Sequence, residues 1–241
     1  MSRRLHPGRR LVAYDRRGYQ RSRDIGDGAP TLDEHVEDLL GVLARSSRPD
    51  SDGTGVEVVQ PIVLGHSYGG IVALKAVAEH PGVAAALVAY EPPLSWLPWW
   101  QDEAHGDPER ELVPKAGEEP GEFAERFART MLGDERYARL SPEIRAGFAA
   151  DGAAATAELR ELATRVPFDP ERLGGPITFV RGSATATRHV RASEWLAAAI
   201  PGAHHCVIEG ASHGGHLSHP ADLAAIVEEL ATQLTRPVAR G

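Results

Sequence analysis

The sequence has little cysteine, little lysine and no long apolar run. A single cysteine, Cys206, occurs among the 241 residues, so no disulfide can form within the chain, which fits a reducing cytoplasm. No apolar stretch reaches transmembrane length, and no apolar export segment follows the early arginine pairs Arg3–Arg4 and Arg9–Arg10. We therefore expect a cytoplasmic protein with no membrane partner.

Basic residues are fewer than acidic ones. Lys and Arg total 26 against 34 Asp and Glu, which gives a net charge of -8. An acidic surface repels a polyanion, which disfavours nucleic acid as a partner over the general surface. With 42% hydrophobic residues, the chain is long enough to bury one sizeable core.

Short apolar runs alternate with segments of helical periodicity. Each run is nearly continuous in apolar residues, as in strands that helices cover on both faces. The alternation predicts an α/β fold with a mostly parallel sheet flanked by helices. The predicted strands are Leu11–Tyr14, Pro61–Gly65, Ala84–Tyr90, Pro176–Arg181 and His204–Ile208.

Two helices have clear start signals. Thr31 and Glu34 form a capping box ahead of apolar residues at helical spacing. A second helix is predicted after Pro220, because proline suits the first helical turn. The stretch 92–175 interrupts the alternation and is predicted to be an inserted helical lid. Residues 1–91 and 176–241 then form the two parts of the core.

The strongest motif is G-x-S-x-G, formed by Gly65, His66, Ser67, Tyr68 and Gly69. Three fixed residues can match by chance in a chain with 25 glycines. The apolar strand before them and the helical run after them make this match specific. A sharp strand-to-helix turn strains its central residue and needs small neighbours two positions away. Gly65 and Gly69 meet that need.

This nucleophile elbow predicts Ser67 as the nucleophile. The turn places Ser67 at a helix N-terminus, where the backbone N–H of Tyr68 can stabilise an oxyanion. The alternative is an ordinary glycine-rich turn with a serine cap. A phosphate loop is weaker still, because its Lys-Ser/Thr ending is absent.

A serine hydroxyl needs a base that takes its proton. His213, His216 and His219 lie in the loop after the last predicted strand, at the sheet edge that also carries the elbow. His213 lies nearest the strand end and has small neighbours, so we predict that it is the general base. His216 and His219 are predicted to be lid contacts or caps.

A metal site formed by these three histidines is disfavoured, because Gly214 and Gly215 interrupt a continuous helix. We expect neither a metal nor a cofactor.

Together these residues resemble the α/β-hydrolase superfamily, especially its capped serine esterases, lactonases and cofactor-free haloperoxidases. Tyr14–Ser22 resembles the family's D-x-R-G-x-G-x-S loop, with Gln20 in place of the usual glycine, and Gly210–His213 resembles its base loop. The resemblance begins at the family's fourth strand. It therefore implies an N-terminal truncation that removes the first strands and a loop donating a second oxyanion N–H.

The resemblance also implies a triad acid, which usually follows the strand matched by Ile177–Arg181. No carboxylate lies between Glu171 and Glu194. A minority of the family carries the acid after the strand that follows the elbow, where this chain has Glu91. We predict Glu91 as the acid, with a lid-anchoring ion pair as the alternative. A triad without its acid loses about 10⁴-fold in rate.

Serine rather than aspartate as nucleophile disfavours the dehalogenase and epoxide-hydrolase branches. Hydrolysis of a small-molecule ester or lactone through an acyl-enzyme remains. Trp96, Trp99 and Trp100 are predicted to line an apolar substrate pocket, and the alternative is that they form the lid's own core. A catalytically inactive or ligand-binding relative and a cofactor-free perhydrolase are the rival functions, and the oligomeric state stays open.

Overall fold

A computed structural model describes residues 4–46, 60–104 and 112–235. Its sheet has four strands, β1 (Ile62–His66), β2 (Ala86–Tyr90), β3 (Ile177–Gly182) and β4 (His204–Ile208). They lie side by side in chain order, and each neighbouring pair is parallel. The predicted α/β fold with a parallel sheet is confirmed.

Helices connect and flank the strands. Thr31 N–H donates to Glu34 Oε2 at 2.9 Å, and Glu34 N–H donates to Thr31 Oγ1 at 3.3 Å, so the predicted capping box is confirmed. None of the described helices is long and apolar enough to cross a bilayer. The α-helices are α1 (Leu32–Ser46), α2 (Tyr68–Glu79), α3 (Pro98–Ala104), α4 (Pro120–Leu132), α5 (Asp134–Ala138), α6 (Pro142–Ala150), α7 (Gly152–Thr164), α8 (Thr187–Ala199), α9 (Gly215–Ser218) and α10 (Pro220–Thr235), with 3-10 turns at Gln20–Ser22 and Pro170–Arg172.

The described chain divides into two compact units. The first contains residues from 1–12, 39–93 and 168–241, and the second contains residues from 13–38 and 94–167. All four strands belong to the first unit. The lid limits at 92 and 175 stay a prediction, and the second unit joins 94–167 to an earlier segment of the chain.

The core of the first unit forms where helices cover the sheet. Helix α2 packs against β1 and β2, and α8 packs against β3 and β4. Strand β2 is buried along its whole length, as expected for a strand between two helical layers. Helix α10 adds its apolar side to a buried cluster formed by Val88, Tyr90, Val180, Ile208, Ala211, Leu223 and Leu230.

A buried ion pair anchors the loop Tyr14–Ser22 within the second unit. Arg16 pairs with Glu158 of α7, and Tyr19 Oη donates to Glu158 Oε2 at 2.7 Å. His35 Nε2 lies 2.8 Å from Glu158 Oε1. Burial alone would raise the pKa of Glu158, but Arg16 and His35 outweigh it and the pKa lies below its usual value.

Gln20 shows why glycine is usual at its position in this loop. Its φ is 47°, in the left-handed region that side chains other than glycine rarely adopt. The Gln20 side chain donates from Nε2 to Asp151 Oδ2 at 2.9 Å. This contact offsets part of the backbone strain.

The prediction of a strand at Leu11–Tyr14 is wrong. The segment is irregular in the structure, and the side chains of Leu11 and Val12 are 47% and 43% exposed. A strand exists only when its backbone pairs with a neighbour, and β1 pairs with β2 alone in the described sheet. The other edge of β1 therefore stays open in the described sheet, because apolar composition alone does not bring a segment into register with a strand edge.

Gly182 at the end of β3 allows the chain after β4 to approach closely. A Cβ at this position would lie 2.0 Å from the backbone oxygen of Ala211. We expect Gly182→Ala to lower the free energy of unfolding by roughly 1–3 kcal/mol, since overpacking shifts the backbone. Gly174→Ala, where nothing lies within 4 Å, should change it by less than about 0.5 kcal/mol. Urea denaturation measures both, and equal effects would contradict the packing argument.

Candidate active site

The carboxyl ends of the four strands bring together residues far apart in the sequence. Ser67 follows β1, Glu91 follows β2, Thr185 lies three residues beyond β3, and His213 lies in the loop after β4. Because parallel strands end at one edge of the sheet, all four positions share that edge. The site therefore depends on the strand order.

Ser67 occupies a strained turn between β1 and α2. Its φ and ψ are 53° and -126°, outside the regions that most residues adopt. Its N–H donates to Tyr90 O at 2.9 Å, and its own carbonyl accepts from Gly70 N–H at 2.8 Å. The turn is thus hydrogen-bonded to β2 on one side and to α2 on the other. This is the strand–turn–helix context that the motif requires.

The glycines of this turn differ in their steric importance. A Cβ on Gly65 would lie 2.4 Å from Gly69 O, whereas a Cβ on Gly69 would meet nothing within 4 Å. The expectation that both must be small is therefore correct for Gly65 and wrong for Gly69. The second close approach is made by Gly70, whose Cβ would lie 3.1 Å from Pro92 Cβ.

The carboxylate of Glu91 is fully buried, with 0% of its surface exposed. It accepts the N–H of Gly182 at Oε1, at 2.9 Å, and the hydroxyl of Thr185 at Oε2, also at 2.9 Å. His213 Nδ1 lies 2.8 Å from the same Oε2. The segment after β3, which carries no acid of its own, thus holds the glutamate that follows β2.

This contact fixes the tautomer of His213. A carboxylate oxygen only accepts, so Nδ1 carries a proton, and in the neutral ring Nε2 is then the nitrogen with the lone pair. An unprotonated Nε2 is what a general base needs. No hydrogen bond joins the Ser67 hydroxyl to the His213 ring in the described part of the chain, and such contacts often form only when substrate binds.

The His213 ring lies between two other imidazoles. His189 stacks on it with ring centroids 4.5 Å apart and planes 21° apart, and the His66 centroid lies 4.7 Å away. His66 Nε2 donates to the His213 carbonyl at 2.8 Å. Burial, together with repulsion from His213 when that ring is protonated, holds the pKa of both His66 and His189 well below the usual value.

Sequence reasoning missed Thr185 and His189. Both lie in or just before the first turn of α8, where no motif marks them, and only the register of β3 against β2 shows that they approach Glu91. His216, predicted as a lid contact or cap, packs against His66 with ring centroids 4.2 Å apart.

Tyr68 and the tryptophans lie in different units. Tyr68 begins α2, so its amide belongs to the positive end of the helix dipole beside Ser67. Trp96, Trp99 and Trp100 belong to the second unit, where the rings of Trp99 and Trp100 lie 6.1 Å apart and Trp100 is buried. That they line a substrate pocket stays a prediction.

Comparison with known proteins supplies the family context. A sequence model described as the alpha/beta hydrolase family matches residues 1–226. A pimeloyl-[acyl-carrier protein] methyl ester esterase from Aromatoleum aromaticum is 30% identical, and the match covers 70% of this chain and 73% of that protein.

Solved structures with similar folds include two esterases and a bromoperoxidase. A carboxylesterase from Nitrososphaera gargenis has a TM-score of 0.64 at 21% identity, covering 93% of this chain and 80% of that one. An esterase from Thermogutta terrifontis gives 0.62 at 21%, covering 92% and 79%. A bromoperoxidase from Bacillus anthracis gives 0.62 at 19%, covering 91% and 80%. At these identities the likeness concerns the fold alone.

The lowered pKa of His66 and His189 predicts a loss of stability on mild acidification. The unfolded chain protonates both rings near pH 6.5, about the usual pKa, but the folded chain keeps them neutral, so unfolding takes up protons below that pH. We expect the free energy of unfolding to decrease as the pH is lowered below about 6.5, by at most about 1.4 kcal/mol per pH unit for each ring.

Urea denaturation at pH 7.5 and pH 5.5 measures this loss. His189→Phe should make the dependence on pH shallower, because one of the two rings no longer titrates. His204→Gln, at an exposed position on β4, is the matched control and should keep the slope of the unchanged protein. An equal slope in all three proteins would contradict the prediction.

Proposed function

Because this chain belongs to the α/β hydrolase family, we propose that it is a serine esterase that cleaves a small, apolar ester or lactone through an acyl-enzyme. The observation that carries the proposal is the 2.8 Å contact between His213 Nδ1 and the buried Glu91 carboxylate, at the sheet edge where the elbow presents Ser67. The methyl ester esterase relative supports an ester as the bond that is cleaved.

In the first half-reaction, the Ser67 oxygen attacks the substrate carbonyl carbon while His213 Nε2 takes the hydroxyl proton. The negative charge that develops on the carbonyl oxygen is stabilised by the Tyr68 N–H and the N-terminal end of α2. The intermediate then collapses, and the C–O bond to the alcohol breaks. His213 returns its proton to that alcohol, which leaves the acyl group on Ser67.

In the second half-reaction, water replaces the alcohol. His213 Nε2 removes a proton from the water as its oxygen attacks the acyl carbon, and the bond to Ser67 breaks as His213 gives the proton to the serine oxygen. A carboxylic acid is released and the enzyme is restored. With a lactone the alcohol and the acid are two ends of one product.

Glu91 stabilises the charge that His213 acquires in each half-reaction. Its carboxylate is already desolvated and held by Gly182 and Thr185, so little reorganisation is needed when the imidazolium forms. The preference for apolar substrates rests on the prediction that Trp96, Trp99 and Trp100 line the pocket.

A fluorophosphonate probe tests the nucleophile directly. We expect labelling of one residue, Ser67, located by mass spectrometry, and no labelling of Ser67→Ala. His213→Ala should abolish most labelling, and Glu91→Gln should slow ester hydrolysis by as much as about 10⁴-fold. Absence of labelling in folded protein would support the rival inactive relative, and turnover only with acetate and peroxide would support the perhydrolase.

Thr185 is proposed as a positioning residue for Glu91. Thr185→Val keeps the shape but removes a hydrogen bond to a carboxylate, a contact that contributes roughly 1.5–3 kcal/mol. We expect kcat to fall about tenfold or more with little change in KM, and Thr185→Ser to restore most of it. Thr187→Val, at an exposed position nearby, is the control. An unchanged kcat in Thr185→Val would contradict a positioning role for Thr185.

A further inference from the structure

His189 brings a second imidazole to the carboxylate of Glu91. His213 Nδ1 lies 2.8 Å from Glu91 Oε2, and His189 Nδ1 lies 4.0 Å from the same oxygen. The potential ligand atoms of the three side chains all lie within 4.8 Å of one another. Two ring nitrogens and one carboxylate oxygen thus lie close together, on side chains that follow three different strands.

These distances suit a small transition-metal ion. In a tetrahedral zinc site the bonds are about 2.0–2.1 Å, which places the ligand atoms roughly 3.3 Å apart. The two distances to Glu91 Oε2, 2.8 Å and 4.0 Å, lie on either side of that value. Modest side-chain rotations would therefore bring the three groups into coordination. Two imidazoles and a carboxylate also form a common protein ligand set for zinc.

The surroundings favour a cation as well. Glu91 and His189 are 0% and 3% exposed, so a charge on the carboxylate is poorly screened by water. Gly182 and Thr185 hydrogen-bond to the carboxylate and would hold it in place as a ligand. The His213 side chain is 14% exposed, which provides a route for entry.

We propose that Glu91, His189 and His213 form an inhibitory site for Zn²⁺ or a divalent ion of similar chemistry. The ion takes the place of the proton on His213 Nδ1, and that proton returns to the ring at Nε2 by exchange with solvent. Protonated Nε2 donates rather than accepts, so it no longer takes the proton of Ser67. Binding needs only the three side chains, whereas inhibition rests on the proposed function.

Metal binding is measured first, without any activity assay. Co²⁺ titration, followed by its visible absorption bands, and native mass spectrometry with Zn²⁺ should each show one ion for each chain. His189→Phe keeps a stacked ring but removes both nitrogens, and should weaken binding by at least about tenfold, the loss that even indirect metal contacts produce. His189→Gln provides a second variant, and circular dichroism shows that each is folded.

His204→Gln is the matched control for binding to surface histidines. His204 is exposed on β4, outside the site, so its substitution should leave metal affinity and basal ester hydrolysis unchanged. Equal Zn²⁺ affinity in the unchanged protein and both His189 variants would overturn the proposed site. So would an equal loss in His204→Gln.

Inhibition is measured next with the ester substrate. Zn²⁺ should inhibit the unchanged protein, EDTA should restore activity, and the His189 variants should need at least about ten times more Zn²⁺ for the same inhibition. Ester hydrolysis without metal binding would overturn this inference and leave the proposed function standing. One bound ion that depends on His189, in a chain without esterase activity, would support the site and count against the proposed function.

Discussion

The buried carboxylate of Glu91 is the group on which the arrangement of the site depends. A carboxylate removed from water costs several kcal/mol unless hydrogen bonds replace its hydration. Gly182 and Thr185 supply two of those bonds and His213 supplies the third. Because these donors lie at the end of β3 and after β3 and β4, the glutamate links three strand ends. The register of the sheet therefore helps to set the position of the imidazole.

The sequence predicted correctly those features of the fold that are set by a few consecutive residues. The elbow at Ser67 and the capping box at Thr31 and Glu34 each follow from a few consecutive residues, and both are present. The segment Leu11–Tyr14 has the composition of a strand, but composition cannot supply a pairing partner. Gly69 fits the motif, yet the close contact is made by Gly70, because the turn of α2 decides which backbone atom faces Pro92.

Contacts between distant segments account for what the sequence did not reveal. His189 has no neighbour in sequence that marks it. Its stacking on His213 arises only when α8, which packs against β3 and β4, meets the loop after β4. The ion pair of Arg16 with Glu158 joins positions 142 residues apart. The choice of Glu91 as candidate acid was possible from sequence because its place at a strand end, rather than its neighbours, was the signal.

The adjacency of β2 and β3 has a consequence for how such a site is recognised in a sequence. Their carboxyl ends lie next to each other, so a carboxylate rooted on either strand can reach the same imidazole nitrogen. Searches that require an acid at one fixed position along the chain would then miss a carboxylate that reaches the imidazole from the neighbouring strand.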